Sequence, residues 1–235
     1  MSSKTKLNEI LLVEDDQQLA SLLCEYLQLN GFNVQWVHSA SSVIEIIRNV
    51  PPTLIILDLM LPGMSGVELC KIIRPLYSGR IMMLTASQSE LDHIISLESG
   101  ADDFIVKPID PRVLLARLRT LLRRSSIGLQ DSNDAQPIQI SNLSLNPLKR
   151  LVFVHEAELN LTAMEFEILM HLVLNAGHVL SREILYRDVM GIEYDGLDRG
   201  LDVHISRIRR KLERAGFDPR FLRSVRGIGY LMEMT

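Results

Sequence analysis

Apolar and polar positions follow two rhythms along this chain, and the change comes just past its midpoint. The first half carries short apolar runs at 10–13, 32–37, 54–57, 81–84 and 104–106. Their spacing is about 22 to 27 residues, which is room for a strand and a crossover helix. Between the runs, apolar residues recur at helical spacing: Leu19, Leu22, Leu23, Tyr26 and Leu27, then Val43, Ile46 and Ile47. The same spacing returns at Leu69, Ile72 and Ile73, at Leu91, Ile94 and Ile95, and through 113–122. Gly31 reads as a C-cap for the first helix, and Pro51-Pro52 stops the second. Five strands alternating with five helices predict an α/β domain with a doubly wound, five-stranded parallel sheet over 1–124. Such a sheet collects its ligand groups at the carboxyl ends of its strands.

Residues 125–137 (SSIGLQDSNDAQP) show no apolar period and read as a flexible linker. Beyond them, over 138–235, the pattern is that of an α+β domain. Strand-like pieces at 143–145, 151–154 and 159–161 precede three helices. The first helix is capped by Thr162, with Glu165 completing a capping box. The second starts at Ser181, and the third runs from about 197 to 215. A hairpin, 222–225 with 230–232, turns through Arg226-Gly-Ile-Gly229.

Composition narrows the class. Of 235 residues, 47% are hydrophobic and 23% charged, which excludes disorder. No stretch approaches the ~18 uninterrupted apolar residues of a membrane span. The first eight residues lack the pattern of a signal peptide. Cys24 and Cys70 fall in helical segments without ligand spacing and read as reduced packing thiols of a cytoplasmic protein. Net charge is −4, but its distribution is uneven. Residues 151–198 carry 2 basic against 9 acidic side chains, whereas 199–226 carry 9 basic against 3 acidic. One basic surface on an acidic protein is the footprint of a DNA reader.

The strand ends carry chemistry. Glu14 and Asp15 follow the first run, Asp58 ends the third, Thr85 the fourth and Lys107 the fifth. An acidic pair after a strand is often only a helix cap, and a lone Asp58 or Lys107 would mean little. Five complementary groups at one sheet edge go beyond coincidence. Three converging carboxylates repel one another unless a cation joins them, and all-oxygen ligands suit Mg²⁺. A carboxylate facing Mg²⁺ and Lys can act as a nucleophile toward phosphorus.

The segments LLVEDD (11–16), LDLMLPGMSG (57–66), MLTA (83–86) and GADDFIVKP (100–108) resemble a response-regulator receiver domain of flavodoxin/CheY-like fold, over roughly 7–124. The resemblance implies that Asp58 accepts phosphate from a sensor histidine kinase. It implies that Asp15, Asp58 and the Met60 carbonyl hold Mg²⁺, with Glu14 acting through water. It further implies that Lys107 binds the phosphoryl group beside a cis Lys107–Pro108 bond, and that Thr85 and Phe104 form the switch pair. Phe104 stands where Tyr is common, and Ile109 where Phe is common. A competing reading is a phosphatase using Asp58 as nucleophile. That chemistry needs an acid two residues on, where this chain has Met60.

Projected at 100° per residue, Leu201, Ile205, Ile208 and Leu212 make an apolar stripe on the third helix of the second half. Arg199, Val203, Ser206, Arg207, Arg210 and Arg214 fall opposite. A solvated charged face would explain such a pattern. A face dominated by Arg, third in a helix trio and followed by a hairpin, instead predicts a winged helix-turn-helix that binds DNA.

LTAMEFEIL (161–169), LSRE (180–183), DRGLDVHISRIRRKL (198–212) and VRGIGYL (225–231) resemble the DNA-binding domain of OmpR/PhoB regulators, with 191–212 closest in appearance to the RstA subgroup. The resemblance implies that Ser206, Arg207 and Arg210, on the same face as Arg199, meet bases or nearby phosphates. It implies that His204 and Arg209 contact the DNA backbone, that Arg226 enters the minor groove, and that 190–196 touches RNA polymerase. It also implies a homodimer on activation, through Glu98 with Arg119 and Asp103 with Arg117 across protomers. A third pair of that interface is replaced here by His93 and Val113. The expectation is a phosphorylation-activated transcription regulator on tandem promoter sites and not an enzyme. The alternative is a DNA binder that works without phosphorylation.

Overall fold

The computed structural model describes residues 9–87, 89–122, 137–194, 196 and 199–234. The chain divides into two compact units, one ending at Leu122 and the other starting at Arg123.

The first unit runs β1 (Glu9–Val13), α1 (Gln17–Leu29), β2 (Asn33–Val37), α2 (Val43–Asn49), β3 (Leu54–Asp58), α3 (Gly66–Ile73), β4 (Arg80–Thr85), α4 (Glu90–Glu98), β5 (Asp103–Val106) and α5 (Pro111–Leu122). All five strands are parallel, in the order β2-β1-β3-β4-β5. The inner strands β3 and β4 are buried at every position, as strands covered on both faces must be, which is why they read as unbroken apolar runs. On one face Leu11, Val13, Ile55, Leu57, Ile81 and Met83 pack against Val43, Ile47, Leu69 and Ile73. Each such side chain contributes ~1.5–3 kcal/mol on burial, so this layer fixes the sheet.

Local chemistry sets the helix ends. Asp16 caps α1 by accepting from the Gln18 and Leu19 amides at 2.8 and 3.1 Å. Gly31 follows the C-cap residue Asn30 with φ +88°. Helix α2 stops at Asn49, ahead of the prolines. Ser65 and Glu68 form a capping box at α3, whose first residue must be glycine, because a Cβ on Gly66 would lie 2.1 Å from the Asp58 carbonyl oxygen.

The second unit opens with an antiparallel four-stranded sheet: β6 (Ile138–Ile140), β7 (Leu143–Asn146), β8 (Leu151–Val154) and β9 (Ala157–Glu158). Then follow α6 (Ala163–Leu174), β10 (Val179–Ser181), α7 (Arg182–Leu185), α8 (Gly200–Arg214), β11 (Leu222–Val225) and β12 (Gly229–Met232). The last three strands pair antiparallel in the order β10-β12-β11, forming a hairpin wing behind three helices.

Four details depart from the sequence pattern. Strands β6 and β10 were not legible, being three residues each and too short to show a period of two. No strand forms at 159–161; β9 lies just before it, and Leu161 is buried ahead of the Thr162 cap. Helix α7 is a single α-turn that continues as a π-turn over Tyr186–Met190 and ends at left-handed Gly191. Helix α8 is assigned from Gly200, while Leu197 and Asp198, where the pattern began it, lie outside the described residues. So does the expected linker, apart from Pro137. Both cysteines are free thiols, within α1 and α3. Among the described residues no helix is long and apolar enough to cross a membrane.

Candidate functional site

Parallel strands end together, so the groups that follow them meet at one edge. Glu14, Asp58 and Thr85 are buried there, at 0%, 2% and 1% exposure. Lys107 reaches into the cluster, its Nζ 2.9 Å from Glu14 Oε2 and 3.1 Å from Asp58 Oδ1. The backbone beneath is held by adjacent strands: the Leu59 amide donates to the Leu84 carbonyl at 2.8 Å, and the Lys107 amide to the Thr85 carbonyl at 2.7 Å. The Lys107–Pro108 peptide is cis.

The electrostatics follow from burial. Burial raises the Glu14 pKa above its ordinary value, and the charge of Asp58 adds to this against the pull of Lys107. Burial alone would lower the Lys107 pKa, but hydrogen bonds to Glu14 and Asp58 outweigh it and the net shift is upward. Carboxylate oxygens of Glu14, Asp15 and Asp58 lie within 4.8 Å of one another, with Asp15 exposed at the mouth. Two buried carboxylates and one exposed carboxylate form an all-oxygen donor set that fits a hard divalent ion such as Mg²⁺, and the Lys107 ammonium offsets part of their charge. Met60 follows in the loop after β3 with its side chain exposed. Asp16, the third acid of the run, is the α1 cap.

Thr85 Oγ1 accepts from the Ser87 amide at 3.0 Å. The Ser87 carbonyl is in turn 3.0 Å from His93 Nε2, and the His93 ring stacks on Phe104 with centroids 4.0 Å apart. The two expected switch residues are thus linked through Ser87 and His93, a connection the sequence did not reveal. Asp103 of β5 and Arg117 of α5 pair at 2.9 Å within the chain. Glu98 is exposed, and Arg119 Nη2 lies 3.5 Å from Oδ1 of Asn30, the C-cap of α1.

In the second unit α8 corrects the helical projection. Leu201, Ile205, Ile208 and Leu212 are buried as expected, but so are Val203, His204 and Arg207. Arg207, which the projection set opposite the apolar stripe, is thus 7% exposed, and His204 0%. The reason is a buried carboxylate on α6. Glu165, 0% exposed, closes its capping box by accepting from the Thr162 amide at 2.8 Å. It also holds Arg207 at 2.9 Å and Lys211 at 2.6 Å, one helical turn apart on α8. Burial alone would raise the Glu165 pKa; the charges of Arg207 and Lys211 overcome it and hold it below the ordinary value.

Exposed on α8 are Ser206, Arg210, Glu213 and Arg214, with Arg199 exposed at its N-cap. Arg209 is half-buried and serves the wing, donating to the Leu222 carbonyl at 2.9 Å and to Ser224 Oγ at 3.0 Å. Asp202 accepts from Arg182 at 2.8 Å and from the Tyr230 hydroxyl, tying α8 to α7 and β12. Gly229 lets the wing close on β10, since a Cβ there would lie 1.9 Å from the Leu180 carbonyl oxygen. Arg226, at the wing tip, is exposed. The capping pattern had identified Glu165, but only as a cap; its second role needs the partner helix, which no local pattern discloses.

Comparison with known proteins agrees with this two-part layout. The response regulator receiver domain family matches residues 10–119, and the family described as transcriptional regulatory protein, C terminal, matches residues 156–232. The transcriptional regulatory protein RstA of Escherichia coli (strain K12) is 38% identical over 96% of this chain and 97% of its own. CpxR of the same strain, also a transcriptional regulatory protein, is 40% identical over 96% of this chain and 98% of its own. A solved structure of a RitR mutant is similar with a TM-score of 0.75 and 25% identity, covering 97% of this chain and 100% of that one. With a receiver sheet, a winged helix-turn-helix and full-length relatives of this kind, the chain belongs to the OmpR/PhoB family of two-component response regulators.

Proposed function

We propose that this protein is a cytoplasmic transcription factor switched by phosphorylation of Asp58. The observation that carries the reading is Lys107 Nζ at 3.1 Å from Asp58 Oδ1, within a three-carboxylate cluster, in a chain that also bears an arginine-faced helix. The Asp58 carboxylate attacks the phosphorus of a sensor kinase's phosphohistidine. An O–P bond forms, the P–N bond breaks, and the imidazole leaves with the electron pair. Lys107 faces the incoming phosphoryl oxygens, and the Thr85 hydroxyl turns to hydrogen-bond one of them. Glu14, Asp15, Asp58 and the Met60 carbonyl would hold Mg²⁺, which supplies the charge that lets anionic phosphate approach buried acids.

Withdrawal of Thr85 pulls on Ser87, and through His93 on Phe104, changing the face made by α4, β5 and α5. On that face Glu98, Asp103, Arg117 and Arg119 meet a second copy, with Asp103 and Arg117 exchanging their intrachain bond for one across the dimer. Paired copies present two winged helices to tandem promoter sites. Arg199, Ser206 and Arg210 face the major groove, Arg226 the minor groove, and residues 190–196 meet RNA polymerase.

The test is selection of bound fragments from sheared genomic DNA, with and without Mg²⁺ and beryllofluoride, a mimic of the phosphoryl group. Tandem repeats enriched only with the mimic are expected, and Asp58→Ala should abolish that difference. Equal enrichment in both arms would make the protein a phosphorylation-independent DNA binder. No enrichment, with rapid turnover of phosphate esters, would make it a phosphatase.

A further inference from the structure

Two acids of the pocket, Glu14 and Asp15, follow β1 after Val13, beyond the last ladder pairing of that strand with β2 and β3. Two bonds to the Glu14 backbone come from β2, an edge strand that contributes no carboxylate of its own to the cluster. The Glu14 amide donates to the Val37 carbonyl at 3.2 Å. The Glu14 carbonyl accepts the indole N–H of Trp36 at 2.8 Å. These two bonds grip the peptides on either side of Glu14. Fixing the carbonyl oxygen fixes the plane of the Glu14–Asp15 peptide, and with it the backbone torsions that aim both carboxylates. Of the two, only the indole bond comes from a side chain. Trp36 is the sole tryptophan of the chain, and it stays 37% exposed, so its ring is not there mainly to fill a core.

We propose that Trp36 is a positioning residue for the acidic pocket: its indole N–H, by holding the Glu14 carbonyl, sets the affinity of the Glu14–Asp15–Asp58 cluster for Mg²⁺. The inference rests on reading that cluster as a Mg²⁺ site. Residues that orient metal ligands through one hydrogen bond regularly change metal affinity without touching the ion. Loss of one such bond should weaken binding roughly 3- to 10-fold.

Because Trp36 is the only tryptophan, the N–H can be deleted almost atom by atom. Replacing it with benzothienylalanine puts sulfur where the N–H was and keeps the bicyclic shape. Fluorotryptophan keeps the N–H and serves as rescue, and Trp36→Phe gives a genetically encoded comparison. For the full chain, Mg²⁺ affinity is measured by titration calorimetry, and thermal unfolding is followed in chelator. The expected result is weaker Mg²⁺ binding for the benzothienyl and Phe forms, native affinity for the fluorotryptophan form, and a metal-free Tm for the benzothienyl form close to native. Equal Mg²⁺ affinity for native and benzothienyl protein would overturn the positioning role. So would a metal-free Tm that falls in step with affinity, which marks a purely structural bond. If the native protein itself binds no Mg²⁺, the metal reading fails first and takes the inference with it.

Discussion

His93 lies flat on Phe104, ring centroids 4.0 Å apart and planes inclined by 24°, while its Nε2 holds the Ser87 carbonyl two residues beyond Thr85. A side chain on α4 thus couples a residue of β5 to the loop that leaves β4. Aromatic contacts of this kind contribute ~0.5–1.5 kcal/mol beyond burial, enough to bias a two-state ring roughly 2- to 10-fold.

His93→Ala should therefore release Phe104 from the arrangement seen here. Without any phosphoryl mimic, self-association measured by sedimentation should tighten several-fold, and the ring environment of a fluorinated Phe104 should shift toward its beryllofluoride-bound value. If neither changes, His93 is a bystander to the switch.

Removal of the cation beside the buried acids gives a second expectation. Lys107→Met leaves Glu14 and Asp58 facing each other without the ammonium that contacts both. Stability in chelator should fall by about 1–3 kcal/mol. Added Mg²⁺ should then raise the Tm of the variant more than that of the native protein. A variant no less stable than native in chelator would show that the ion pair is not what holds the pocket.

Two arginines on one helix should behave differently. Arg207→Ala strips a partner from buried Glu165 and should destabilise the second unit by about 3–5 kcal/mol, with DNA binding lost along with the fold. Arg210→Ala, on the exposed face, should leave thermal unfolding within ~0.5 kcal/mol of native while reducing affinity for target DNA. An Arg207→Ala protein that unfolds like native would return that residue to the DNA-facing surface.

The Glu165 carboxyl titrates lower in the folded chain than its ordinary value of 4.5. As pH falls, the unfolded chain takes up this proton first, so the stability contributed by the carboxylate is present above about 4.5 and is lost below it. Denaturant melts of Glu165→Gln between pH 6 and pH 3 should show lower stability at pH 6. Their slope with pH should be shallower than that of the native protein in the acid range. Parallel profiles for the two proteins would remove Glu165 from the acid response.

The receiver half was legible to a high degree because a doubly wound sheet writes itself into sequence twice, as regularly spaced apolar runs and as functional groups at strand ends. Glu14, Asp58, Thr85 and Lys107 could be brought together from topology alone. The three-residue strands β6 and β10 were illegible, since they owe their pairing to neighbours and carry too few residues for a period. Helix α8 misled for a related reason. A helical projection assumes one buried face, whereas α8 is gripped by Glu165 of α6 as well as by Arg182 and Tyr230, which both bond its Asp202. Trp36 escaped notice, and His93 was marked only as a departure at the dimer face, because each acts on a residue of another strand or loop, and nothing in their own surroundings in the sequence marks it.

Held and exposed residues alternate along α8. Arg207 and Lys211 are committed to Glu165, while Ser206 and Arg210, their immediate neighbours in sequence, stay at the surface. If the exposed positions read DNA as proposed, evolution can rewrite the promoter preference of such a helix one position at a time, leaving its anchorage undisturbed. A change at 165, 207 or 211 instead demands a matching change on the other helix. New regulatory targets are then reachable by single steps, and the architecture that presents them drifts far more slowly.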